Sequence, residues 1–386
     1  RNIYDFNKAM NPYSQLLETI KKEKDFIDLT NTNFTTITPL INFDELQADL
    51  KSYLNNRKYE PDPKGLLSAR NAISNYYKDN GFSIDPNNII ITASTSESYA
   101  LIFSSLLENK DEVLLPNPSY PLFSYLASFT RIKPLFYNLK EKAGRWRVDL
   151  ESLKRNLGST NALGLISPNN PTGMMLYKED IENILDLIKG KDILLILDEV
   201  FCDYIYAGND HRELLENIVK SNKVIILNGI SKSLASPDLK LAWMAIPNYD
   251  HDLIDTLETA NDTYLNCSYL TQALLPSLFK TSNEKRAKWL EQLNSNRDLL
   301  IAKNSKRLSL IPPQGGIHCV IDFPALAWEN ERIALKLLEE YLIAVHPGYF
   351  YDFPASSNKV IVSLIQDPEK FEIALSRLVE FSIQYS

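Results

Sequence analysis

The stretch Val224-Ile-Ile-Leu-Asn-Gly-Ile-Ser-Lys-Ser-Leu234 is an unbroken apolar run that stops at a polar loop carrying Lys232. A Ser-Lys pair after a strand, standing alone, is an ordinary solvated loop. Three other places in the chain repeat the arrangement. Ile89-Ile-Ile-Thr92 runs into Ala93-Ser-Thr-Ser96, and Ala162-Leu-Gly-Leu-Ile166 runs into Ser167-Pro-Asn-Asn-Pro-Thr-Gly173. Ile193-Leu-Leu-Ile-Leu197 runs into Asp198-Glu-Val-Phe201. Continuous apolar runs are what strands buried on both faces of a parallel sheet require. In open α/β sheets ligands bind outside the carboxyl ends of the strands. An amine, a carboxylate, an amide and a hydroxyl cluster at four such ends therefore predict a binding site.

Working outward, helical periods separate the runs at Asp44–Leu54, Leu66–Tyr77, Glu97–Leu107, Lys178–Ile188 and Glu213–Ser221. Strands spaced by such helices predict an α/β fold, a three-layer α/β/α sandwich with a mostly parallel sheet. Leu241–Ile246 is the exception. The gap after Leu227 is too short for a helical crossover, so this one strand is expected to run antiparallel. Beyond about residue 270 the pattern becomes α+β: helical segments over Thr271–Asn304, short strands at Gly316–Asp322 and Val360–Leu364, and a helix at Pro368–Phe381. In the N-terminal part a strand is expected at Phe26–Leu29. The expected division is a large cofactor-binding domain, 45–270, and a smaller α+β domain built from 1–44 and 271–386.

The 386 residues are 44% apolar and 23% charged with net charge −8, ordinary for a globular chain long enough for two cores. With no long basic run, nucleic acid is not an expected partner. No apolar stretch reaches membrane-spanning length, so no membrane is expected. Cys202, Cys267 and Cys319 are odd in number and far apart, which argues against a disulfide framework and for a cytoplasmic protein. His211, His251, His318 and His346 show no metal-ligand spacing, and no metal is expected. The chain opens on Arg1 without Met and reads as processed or trimmed.

The ordered set Tyr59…Gly65…Arg70, Ser94-Thr-Ser96, Asn117-Pro-Ser-Tyr120, Asn169-Asn-Pro-Thr-Gly173, Asp198-Glu-Val-Phe201 and Ser231-Lys-Ser233 resembles fold-type-I pyridoxal-phosphate enzymes, above all the class I/II aminotransferases. The resemblance covers roughly residues 25–382. It implies pyridoxal 5'-phosphate as cofactor and a ping-pong transfer of an amino group from an amino-acid or amine donor to a keto-acid acceptor. Lys232 would form the Schiff base and then move the substrate α-proton, as a desolvated lysine can. Asp198 would face the pyridine nitrogen, and Asn170 would donate to the 3-oxygen. Taken alone, Asp198 reads as a helix cap and the Asn170 segment as a turn.

Ser94, Thr95 and Ser96 would offer a helix N-terminus to the phosphate, completed by Ser231 and Lys240. Tyr120 would stack on the ring. Tyr59 would reach the phosphate of the neighbouring subunit, which implies a homodimer. Ser94 and Lys240 depart from the Gly and Arg usual in the family.

Two further departures bear on chemistry. Phe201 stands where the family has a tyrosine that donates to the 3-oxygen. Ile361, in Lys359-Val-Ile-Val-Ser363, stands where it has the arginine that clamps the substrate carboxylate. Lys359, His346 in His346-Pro-Gly-Tyr-Phe-Tyr-Asp-Phe353, and the arginines at 131, 145, 147 and 332 are the candidates to replace that charge. The alternatives are a β-lyase or decarboxylase using the same cofactor, a degenerate member without activity and, from another class, an aminotransferase-like regulatory binding domain. The regulatory reading requires Arg1 to mark a truncation, because residues 1–25 are too short for a helix-turn-helix domain.

Overall fold

The apolar runs become the strands of one large sheet in the computed structural model, which describes residues 10–36, 43–206, 210–221, 223–248, 250–265 and 267–386. Its strands are β1 (Ile89–Thr92), β2 (Glu112–Asn117), β3 (Lys133–Lys142), β4 (Arg145–Val148), β5 (Thr160–Ile166), β6 (Leu194–Asp198), β7 (Val224–Gly229) and β8 (Ala242–Ala245). They lie in the order β1-β8-β7-β6-β5-β2-β3-β4. The central pairs from β7 through β3 are parallel. Strand β8 is antiparallel to both its neighbours, as the short gap after Leu227 predicts.

A second antiparallel strand, β4, closes a hairpin at the other edge. The sequence reading did not include it. The polar-apolar alternation of Lys133–Val148 is that of a strand with one solvated face, and it lacks the continuous apolar signal of the others.

Successive residues of the buried strands serve opposite faces, as the two-residue period demands. Ile89, Ile91, Leu195, Leu197 and Ile226 join one apolar cluster; Ile90, Ile196, Ile225 and Leu227 join the other. Helices cover both. The predicted 11-residue helix at Lys178–Ile188 has those bounds, and the one at the hydroxyl cluster spans Thr95–Ser105. The latter is fixed at its start by a reciprocal cap. Ser94 Oγ accepts from the Glu97 N–H at 3.1 Å, and the Glu97 carboxylate accepts from the Ala93 N–H.

The smaller unit is built on an antiparallel sheet of β9 (Ser309–Leu310), β10 (His318–Asp322), β11 (His346–Pro347) and β12 (Lys359–Ser363), in the order β9-β10-β12-β11. A 33-residue helix, Tyr269–Ile301, runs alongside as one element. The N-terminal segment joins through Ile27–Asp28, which pairs parallel with Ile343–Ala344. Tyr13, Ile20, Leu29 and Phe34 pack into the same cluster as Ile321, Val362 and Phe371. Phe201 and Tyr204, directly after the end of β6, belong to that cluster too. The two units therefore meet where the polar strand ends lie.

Candidate active site

Ends of β1, β5, β6 and β7 open onto one cavity of about 390 Å³. Of the ten residues predicted for the site, Ser94, Thr95, Ser96, Tyr120, Asn170, Asp198, Ser231 and Lys232 lie on its wall. Lys240 and Tyr59 do not. Lys240 is exposed, with φ of +49°, close enough for its charge to act on Lys232. Tyr59 is 73% exposed, its ring 5.5 Å from that of Tyr269.

Lys232 sits in a four-residue helix, Ile230–Ser233, immediately after β7. Gly229 permits this, since a Cβ there would come within 2.9 Å of Ala242 Cβ and 3.0 Å of the Leu241 carbonyl. The Tyr204 hydroxyl donates to the Lys232 carbonyl at 2.6 Å. The Lys232 ammonium lies 5.5 Å from the Phe34 ring centre and 5.7 Å from that of Phe201. Burial, helped by the Lys240 charge, brings its pKa down to about 8. About a tenth of the amine is therefore unprotonated and nucleophilic at pH 7, far more than for an ordinary lysine.

Asp198 ends the fully buried strand β6. Its Oδ1 accepts from the Val200 N–H at 3.2 Å and its Oδ2 from the Tyr99 hydroxyl at 3.2 Å. Burial pushes its pKa up to about 6 against those two donors. No lysine or arginine pairs with it among the described residues. An unpaired buried carboxylate is costly, and one on a cavity wall is suited to a cationic ligand group.

The Asn169-Asn-Pro-Thr-Gly173 turn divides its labour. Asn169 Oδ1 accepts from the Thr172 N–H and hydroxyl at 3.3 and 2.7 Å, which closes the turn. Asn170 is left with a buried side-chain oxygen that has no hydrogen-bond partner among the described residues. Asn170 lies on the cavity wall and takes no part in closing the turn.

Thr95 and Ser96 open their helix, so their backbone N–H groups have no intrahelical acceptor. The Ser94 hydroxyl is already used in the cap. Together these groups place a nucleophilic amine, a buried anion, an amide side chain and an anion-favouring helix end around one space.

The same wall carries residues that sequence reasoning did not assign: Tyr99, Thr32, His318 and Tyr351. Tyr99 lies four residues after Thr95, on the same helical face, which was the available signal. Of the residues weighed against the missing arginine, His346 is on the wall. Lys359 pairs with Asp322. Arg147 bonds Glu179 and Asp180, Arg145 lies over Tyr177, Arg332 lies over Trp328, and Arg131 is exposed. None of these reaches the cavity wall.

Behind Asp198 a second polar group forms away from the cavity. Glu199 accepts from the Tyr77 hydroxyl at 2.8 Å and meets His211 Nε2 at 2.6 Å, and Asn228 donates to Glu199 and Cys202. The donor atoms of Glu199, Cys202 and His211 lie within 4.8 Å of one another, a proximity that their sequence spacing does not announce.

The sequence profile of aminotransferase class I and II matches residues 3–378. A glutamate-pyruvate aminotransferase of Haemophilus influenzae is 25% identical over 359 residues, 89% of this chain and 87% of that protein. A (5-formylfuran-3-yl)methyl phosphate transaminase of Methanocaldococcus jannaschii is 27% identical over 374 residues, 95% and 94%. Among solved structures, an alanine aminotransferase of Pyrococcus furiosus superposes with a TM-score of 0.85 at 22% identity, covering 97% of this chain and all of that one. No helix among the described residues is long and apolar enough to cross a membrane. With the family profile spanning nearly the whole chain, the protein belongs to the class I and II aminotransferases, pyridoxal-phosphate-dependent transaminases of fold type I.

Proposed function

We propose that the chain transfers an amino group between an amino-acid donor and a keto-acid acceptor, with Lys232 as the covalent anchor of the cofactor and the mobile base. The observation that carries this reading is that Lys232, Asp198, Asn170 and Ser94–Ser96 surround one cavity. The donor set fits pyridoxal phosphate: the unpaired Asp198 carboxylate suits a ring nitrogen, and the Asn170 side chain on the cavity wall carries an amide NH2 that can donate to a ring oxygen. Bound there, the cofactor supplies a carbonyl that takes up the amino group and a ring that accepts the electron pair left at the substrate Cα.

The protein's part is then as follows. Lys232 Nζ would take the substrate Cα proton and deliver it two bonds away, to the carbon on the far side of the amino nitrogen, a task suited to an amine whose pKa burial has lowered. Asp198 holds a negative charge against the ring nitrogen. The N–H groups of Thr95 and Ser96, with Ser231, would hold the phosphate, and Lys240, off the cavity wall, would add its charge from a distance. Tyr120, on the cavity wall, would stack on one face of the ring. Tyr59, exposed on this chain, would serve the site of a second copy, making the enzyme a homodimer. A cytoplasmic setting and a large unit of 45–270 against a small unit of 1–44 and 271–386 belong to the same reading.

An absorption spectrum of the purified protein tests it. A visible band that a set of amino acids converts to a near-ultraviolet one, with release of the keto acid, is expected. Loss of that band in Lys232→Ala is expected as well. A band unmoved by any amino donor would overturn the transaminase reading, and an unchanged band in Lys232→Ala would overturn the role of Lys232.

A further inference from the structure

The arginine position, Ile361, lies on a sheet face whose other occupants are now visible. In the antiparallel ladder β10–β12–β11, Ile361 is directly opposite His346 on one side, and Ser363 is directly opposite His318 on the other. Opposed residues of an antiparallel pair point to the same face, as do residues two apart on one strand. His318, His346, Ile361 and Ser363 therefore share a face. Both histidines reach the cavity wall, whereas Ile361 packs into the apolar cluster with Val320 and Tyr351.

We propose that His318 and His346 are the specificity-determining residues of the substrate subsite, gripping the donor's carboxylate with two imidazole N–H groups in place of one guanidinium. The proposal rests on the transaminase reading above and deepens it by naming the residues that hold the donor's carboxylate.

Three observations converge on it. The Nε2 atom of His318 is buried and has no hydrogen-bond partner among the described residues. A buried imidazole nitrogen left open at a cavity is a group awaiting a ligand. The Nδ1 atom of His346 meets the Tyr351 hydroxyl at 3.1 Å. Where that hydroxyl donates to Nδ1, the proton of a neutral imidazole sits on Nε2 and is free to meet a ligand. Finally, no arginine lies on the cavity wall among the described residues, and Lys232 is committed to the chemistry.

Burial brings His318 to about 3, assisted by the nearby Lys232 and His346 charges. It brings His346 to about 4 against the opposing pull of Asp28. Both rings are thus neutral in the empty pocket at pH 7. They offer single donors of fixed direction, a weaker and less bidentate grip than a guanidinium fork.

The test uses the holoenzyme and two probe pairs, L-alanine with ethylamine and L-tyrosine with tyramine, extended to the remaining amino acids and their decarboxylated amines. The readout is the ratio of kcat/KM for the amino acid to that for its amine. His318→Leu and His346→Leu are each expected to lower this ratio at least tenfold, mainly through KM, with the cofactor's visible band retained. His318→Gln and His346→Gln, which keep an N–H donor, are expected to recover part of the loss. A ratio unchanged in the Leu variants with the band intact would overturn the proposal. So would a wild-type enzyme that converts amines as readily as amino acids. A wild-type holoenzyme with its band present and no donor converted would instead overturn the transaminase reading, and is told apart by the wild-type control alone. Should one Leu variant fail to fold, the other and the two Gln variants still carry the comparison, with a ratio that stays at the wild-type value counting against the grip.

Discussion

Tyr99 lies one turn into the helix that Thr95 begins, and its hydroxyl donates to Asp198 Oδ2 at 3.2 Å. One helix thus offers its first N–H groups to an anion at one end and steadies a buried carboxylate from its side. Burial alone would drive Asp198 toward its neutral form; the Tyr99 hydroxyl and Val200 N–H oppose that. Removing the hydroxyl in Tyr99→Phe is expected to lower kcat about tenfold, since a hydrogen bond to a charged group is worth about 1.5–3 kcal/mol. KM for the amino donor should stay within about twofold, as nothing in this contact faces the substrate subsite. Steady-state kinetics check it, and a kcat within twofold of wild type would show that Val200 suffices.

The same carboxylate sets a pH dependence on the cofactor-free protein. Its folded pKa, about 6, lies above the ordinary value of 3.8. Between those pH values the native state binds more protons than the unfolded chain, so stability falls as pH rises through that window. The penalty is fully developed by pH 7, on the order of 3 kcal/mol for a gap of about two units. Asp198→Asn lacks this titration. Urea unfolding of both apoproteins from pH 4 to 7 should find the wild type losing stability relative to the variant as pH rises. Parallel curves would contradict the buried, unpaired state of Asp198.

Phe201 is buried beside Lys232, its ring centre 5.7 Å from Nζ, and packs edge-on to His318 at 6.1 Å. It offers no donor, which leaves the Asn170 amide alone to serve the ring oxygen. A tyrosine there would add a hydroxyl that favours the deprotonated form of the Lys232-bound cofactor. Phe201→Tyr is therefore expected to lower the pH at which the visible band titrates by about one unit, the shift that one hydrogen bond of about 1.4 kcal/mol produces. A spectrophotometric titration in which the two proteins coincide would refute it.

How much of this was legible depends on the kind of signal. Apolar runs ending at Ser94, Asn170, Asp198 and Lys232 announced buried parallel strands, and their ends do share one cavity. The β3–β4 hairpin was not announced, because half its residues face water and its pattern alternates. The roles of Tyr99, whose i+4 spacing from Thr95 marks only a shared helix face, and of His318 were hidden for another reason. Each becomes meaningful only through a partner far along the chain, Asp198 for one and the register with Ser363 for the other. Local spacing does not reveal such long-range partners. Lys359 shows the converse: a plausible cation by position, it is engaged by Asp322 across the strand. The Asn169–Asn170 pair lies between these cases, since the motif marked both residues but only the hydrogen bonds to Thr172 say which one closes the turn.

Gly173 ties that turn to the smaller unit. Its φ is +66°, and its carbonyl accepts from the Gln314 and Gly315 N–H groups at 2.9 and 3.1 Å. A Cβ at this position would come 2.4 Å from Pro313 Cβ and 2.8 Å from the Gly315 carbonyl. Gly173→Ala therefore meets two costs: about 1–2 kcal/mol for a left-handed backbone and about 1–3 kcal/mol for overpacking. Gly190 provides the control, with φ of +75° and no atom within 4 Å of its would-be Cβ. Gly190→Ala should incur the backbone cost alone. Urea unfolding should place Gly173→Ala at least about 1 kcal/mol below Gly190→Ala in stability. Because relief of the clash must shift the loop that carries Asn170, the Gly173 variant should also bind the cofactor more weakly, which the Gly190 variant should not. Equal destabilisation by the two substitutions would mean that the segment around Pro313 yields without resistance, and that Asn170 does not depend on this contact for its place.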